Sequence, residues 1–132
     1  MEKKLFIAGS IAAGLAVAIG TFGAHSLKDI LVNMDTLDTF KTAVNYQFYH
    51  SFALLVLAWA SSHWPKLNFK LAAIFFISGI CLFSGSLYAY SLSKITFFAL
   101  ITPVGGILFI AAWFLTVYKL LQSEKHEQSQ KR

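Results

Sequence analysis

Apolar residues run almost without interruption over Leu5 to Ala24, Ala43 to Ser62, Leu71 to Ser91 and Ile95 to Tyr118, with short polar stretches between. At a rise of ~1.5 Å per residue, about 20 residues cross the ~30 Å hydrocarbon layer of a bilayer, so each run is long enough to span it. The pattern predicts an all-α membrane protein, a bundle of four transmembrane helices. The second run is the least uniform: its clean apolar part starts near Phe48, and the polar, helix-prone stretch MDTLDTFKTAVN precedes it. That stretch is expected to begin the second helix as an amphipathic turn or two at the interface, with Asp35 or Thr36 as N-cap, or to form a short amphipathic helix between the first and second spans. The domain expected is a four-helix unit over residues 1–122, followed by a polar cytoplasmic tail over 123–132.

Composition supports this class. Of 132 residues, 57% are hydrophobic and 13% charged, far from the balance of soluble chains. The first run, with Glu2, Lys3 and Lys4 ahead of it, has some features of a secretory signal. It is longer than a usual apolar signal core, and Phe22 would stand where a small residue should precede a cut after Ala24, so a retained span is expected. Cys81, the single cysteine, lies inside an apolar run and is read as a small hydrophobe.

The net charge of +5 does not point to nucleic acid, because the basic residues sit at the edges of apolar runs rather than together on a face among aromatics. Four spans put the N-terminus, the loop between spans two and three, and the tail on one side. That side carries Lys3, Lys4, Lys66, Lys70, Lys119, Lys125, Lys131 and Arg132, against Lys28, Lys41 and Lys94 opposite. Eight against three predicts both termini in the cytoplasm. His63 and His126 fall in polar or interfacial settings and are read as solvated.

Small residues suggest how the spans pack. Ala8, Ala12, Ala16, Gly20 and Ala24 recur every four residues in the first span, and Cys81, Gly85, Ala89 and Ser93 do so in the third. Such stripes let helix backbones approach closely in lipid, where association depends on van der Waals contact. In the fourth span Pro103 removes a backbone donor and crowds the carbonyl of Ala99, which predicts a kink, and Gly105 and Gly106 permit a close neighbour.

Following the direction of each span brings its polar residues to one outer level: His25 at the end of the first, Tyr46, Gln47, Tyr49 and His50 on the second, Ser84, Ser86 and Tyr88 on the third, Thr102 on the fourth. Tyr46, Tyr49, His50 and Ala53 have i, i+3, i+4, i+7 spacing and are expected on one face. Turning an ionisable group toward lipid costs at least a few kcal/mol, so His50 is expected to point inward. Three readings of this cluster stand open: a structural hydrogen-bond network, a site for a ligand, proton or lipid headgroup, or a metal or haem site. Two imidazoles on neighbouring helices can ligate haem iron. Zinc would need a further donor, and only Asp29 is near in sequence. No phosphate loop, metalloprotease motif or nucleophile elbow is present, and Ser84-Gly85-Ser86 lacks the strand-turn-helix context of the last.

GTFGAHSLKD, KTAVNYQFYHSFALL, GICLFSGSLYAYSLS and ITPVGGILFIAAW, in that order, resemble the YwdK/YgdD-type family of small bacterial inner-membrane proteins, catalogued as domain of unknown function 423. His25 matches a GAxGAH-like element, with Thr21 where alanine is expected, and Tyr46, Gln47 and His50 match its YQ..H element. The resemblance covers almost the whole chain except the tail. It implies four membrane helices in the bacterial cytoplasmic membrane and brings no reaction, cofactor or substrate.

The expected function is noncatalytic support of the membrane or of a membrane complex, with no cofactor and no bound metal. Expected partners are the lipid bilayer and a homo-oligomer or larger membrane complex. The alternatives are a small transporter or channel with an outer polar vestibule, and a histidine-ligated metal or haem component.

Overall fold

The computed structural model describes residues 1–130, and the side chains of residues 1–122. The tail expected over 123–132, with His126, lies outside the residues whose side chains are described. Among the described residues every regular element is helical: α1 (Glu2–Ala24), α2 (Lys28–Asn33), α3 (Leu37–His63), α4 (Lys70–Gly79), a π-helical turn (Ile80–Ser84), α5 (Gly85–Ser93) and α6 (Thr96–Gln130). α4, the π turn and α5 follow one another without a break and form one rod from Lys70 to Ser93.

Among the described residues, three helices are long and apolar enough to cross a membrane: Glu2–Ala24, Lys70–Ser93 and Thr96–Gln122. α3 is long too, at 27 residues, but Asp38, Lys41, Asn45, Gln47, His50, Ser51 and Ser61 are spread along it. The stretch expected as an amphipathic entry runs straight into α3 from Leu37. A short helix, α2, also lies between the first two long ones; it buries Leu31 and exposes Ile30 and Val32. Asp35, at φ 52°, separates α2 from α3; a short polar side chain tolerates this left-handed conformation better than most. Thr36 occupies the N-cap position of α3, but its hydroxyl does not cap the helix; it donates to the carbonyl of Ser91 at 2.7 Å.

α3 is the central element. α1 lies antiparallel along one side of it, the rod Lys70–Ser93 packs on another, and α6 packs on that rod. Small residues set the α1–α3 spacing, though not as one stripe. Recurrence every four residues at ~3.6 residues per turn drifts about 40° per step, so the stripe winds around α1. Only its middle faces α3: Ala16 is fully buried and Gly20 sits against Val44, while Ala24 is exposed. Gly9 and Gly23, spaced to correct the drift, complete the contact against Leu55 and Phe40. The second stripe makes no tight contact at its start or end, since Cys81, Gly85 and Ser93 are exposed and a Cβ on Gly85 would meet nothing within 4 Å.

The contact between α6 and the rod is close. A Cβ on Gly105 would overlap the backbone nitrogen and Cβ of Phe83, and one on Gly79 would lie 2.5 Å from the ring of Phe109. Gly106 makes only ordinary contact with Phe83. α6 stays helical through Pro103.

Candidate functional site

Gln47 joins three helices. Its side-chain amide nitrogen donates to the Ala12 carbonyl of α1 at 2.9 Å, and its amide oxygen accepts from the Tyr88 hydroxyl of α5 at 3.0 Å. One turn on, Ser51 donates to the Gln47 carbonyl at 2.6 Å. Tyr88 is steadied by Phe40, ring centroids 5.2 Å apart. Gln47 is buried, so these bonds form where water does not compete.

His50 has a different environment. Its Nδ1 lies 2.8 Å from the Tyr46 carbonyl, which can only accept, so Nδ1 carries the proton and Nε2 the lone pair when the ring is neutral. The ring is buried flat against Phe109, centroids 3.4 Å apart and planes 7° from parallel, with Phe76 at 5.8 Å and Trp113 at 6.4 Å. His50 is the middle residue of α3, and Phe109 the middle residue of the apolar stretch Thr96–Gln122. The histidine therefore stands halfway along α3, against the middle of that stretch.

The remaining expected residues separate into groups. Tyr46 stacks on Phe83 at 4.5 Å and lies 5.9 Å from the His50 ring. Tyr49 is 60% exposed and turns away from that face. Ser86 and Thr102 share a hydroxyl–hydroxyl hydrogen bond of 2.7 Å between α5 and α6. Ser84, in the π turn, is fully buried and its hydroxyl has no hydrogen-bond partner among the described residues. His25 ends α1, exposed, beside a groove lined by Thr21, Val44, Asn45 and Phe48. The two histidines thus have separate surroundings: His25 borders the α1–α3 groove, and His50 faces the rod and α6. Among the described residues, no three His, Cys, Asp or Glu side chains come together to hold a metal ion.

An apolar groove of about 460 Å³ separates α1 from the rod, with Ala8, Ala12, Cys81 and Gly85 on its walls and Gln47 and Tyr88 at its polar end. The two small-residue stripes meet this groove rather than each other. Sequence reasoning missed the Thr36–Ser91 tether and the Ala12 carbonyl as a partner; a backbone acceptor leaves no mark in the residue pattern.

Residues 19–106 match the family model described as protein of unknown function (DUF423). The chain is 38% identical over 120 residues to a UPF0382 membrane protein of Staphylococcus epidermidis, covering 91% of this chain and 97% of that protein. It is 38% identical over 116 residues to the UPF0382 membrane protein YwdK of Bacillus subtilis, covering 87% and 94%. With the UPF0382 inner membrane protein YgdD of Escherichia coli K12 it shares 37% identity over 114 residues, 86% of each chain. No solved structure matches.

Proposed function

The chain belongs to the DUF423 family of membrane proteins of unknown function, and from that premise we propose a noncatalytic helical scaffold that supports the membrane or a larger membrane complex. The observation that carries this reading is the use of Gln47: both ends of its amide are engaged by neighbouring helices, at 2.9 and 3.0 Å. Ser86 and Thr102 are paired in the same way, and the His50 ring is covered by aromatic rings. In lipid such bonds hold helices together, because apolar burial gains little there.

α3 serves as the fourth span in this scaffold. At ~1.5 Å per residue it is about 40 Å long; Gln47, His50, Ser51 and Ser61 are buried in the bundle, which lowers the cost of placing them in hydrocarbon, while the exposed Lys41 and Asn45 lie in its first turns. The lysine distribution then orients both termini toward the cytoplasm of a bacterial inner membrane.

The test uses a strain lacking the protein, complemented with Gln47→Leu, while the same variant is melted in detergent. Function falling in step with stability supports the scaffold. Full stability with function lost overturns it. Cysteine labelling at Asn33 and Lys66 in a Cys81→Ala background tests the spans: the first is expected to label from outside the cell, the second only after permeabilisation.

A further inference from the structure

The end of the bundle that holds the start of α1, the end of α3 and the start of α4 is strongly basic. Lys3, Lys4, Lys66, Lys70 and Lys119 gather there, and Glu2 is the one carboxylate among the described side chains at that end. The opposite end has Lys28, Lys41 and Lys94 balanced by Asp29, Asp35 and Asp38. The asymmetry surrounds a groove of about 530 Å³ between the first turns of α1 and the last turns of α3.

The walls of that groove differ along its depth. Phe6, Ile7 and Ala58 form an apolar inner part, while Lys3, Ser62 and Glu2 stand toward the helix ends. Trp59, 59% exposed, also lines it, and is held by His63 stacked at 5.1 Å and Trp64 edge-on at 5.6 Å. Indole rings favour the membrane–water boundary, and a groove there that is apolar within, with Lys3 at its mouth and further lysines at the same end of the bundle, matches a lipid with hydrocarbon chains and a negative headgroup.

We propose that this groove is a binding site for an anionic phospholipid, one acyl chain lying along Phe6, Ile7 and Ala58 and the phosphate group facing Lys3 and the neighbouring lysines. Charge complementarity selects this occupant: Lys3 in the groove wall and the lysines gathered at the same end attract the phosphate, and Glu2 disfavours a second negative group at the same place. The site goes beyond the scaffold role and requires only that the bundle lies in a bilayer.

The test reconstitutes the full chain with Trp59 as its only tryptophan (Trp64→Phe, Trp113→Phe) in phosphatidylcholine vesicles, and compares quenching by chain-brominated phosphatidylglycerol and phosphatidylcholine. A Trp113-only protein serves as reference, because Trp113 is 46% exposed at mid-height and reports bulk lipid. Quenching of Trp59 is expected to favour the anionic lipid by about fivefold, and to approach parity after Lys3→Gln with Lys4→Gln, or in about 1 M salt. Trp113 is expected to show no preference. Equal quenching of Trp59 by both lipids overturns the site, as does an equal anionic preference at Trp113, which would mean general enrichment around the bundle. Neither outcome bears on whether Gln47 joins the helices.

Discussion

His50 and Phe109 lie face to face, ring centroids 3.4 Å apart, and Gly79 permits it. A Cβ at Gly79 would lie 2.5 Å from the Phe109 ring, so the glycine determines where the phenyl group can sit and hence what covers the histidine. Gly79→Ala is expected to push Phe109 off His50 and lower stability by about 1–3 kcal/mol, the usual cost of overpacking a core. A detergent melt measures it, and an unchanged midpoint would show that the ring can move away freely.

Gln47→Leu removes two interhelical hydrogen bonds and leaves the Ala12 carbonyl and the Tyr88 hydroxyl without that partner. Hydrogen bonds between membrane helices are worth about 0.6 kcal/mol on average, so a loss of about 1–2 kcal/mol is expected. A double-mutant cycle with Tyr88→Phe isolates the pair; zero coupling would mean the bond does not hold the helices.

Glycines on the two sides of the rod should respond oppositely to alanine. At Gly105 the added methyl meets the backbone of Phe83, which no rotamer change relieves, and a loss of about 2 kcal/mol or more is expected. At Gly85 and Gly14 a Cβ meets nothing within 4 Å, and alanine is expected to stabilise the helix by about 0.5–1 kcal/mol. Melting all three variants under one condition checks the order.

Thr36→Val removes the 2.7 Å bond to the Ser91 carbonyl while keeping the side-chain shape, and is expected to cost about 1 kcal/mol, whereas Thr36→Ser should cost less. Faster hydrogen exchange at the start of α3 in Thr36→Val would locate the effect. If Val and Ser behave alike, the hydroxyl does not matter.

The long apolar runs made three of the long helices legible, because crossing length alone distinguishes such segments. α3 was harder to read: its apolar run starts well after the helix does at Leu37, so His50 stands halfway along a helix whose first turns are polar. Pairwise spacing placed Tyr46 beside His50 correctly, yet it also grouped Tyr49, which turns outward. The recurrence from Ala8 to Ala24 looked like a face because each step is nearly one turn; the accumulated drift transferred the contact to Gly9 and Gly23. Nothing in ICLFS marks a π turn, and nothing marks Ala12 as a hydrogen-bond acceptor.

The central claim is that the buried polar side chains hold helices together rather than carry a reaction, and His50 tests it most directly. His50→Ala, which empties the place against Phe109, is expected to lose about 2–4 kcal/mol in the detergent melt, while His50→Phe, which restores a ring, should recover most of it and complement a deletion strain. His50→Phe protein as stable as the wild type but unable to complement would contradict the account, since the imidazole would then be needed for its chemistry and not for its packing.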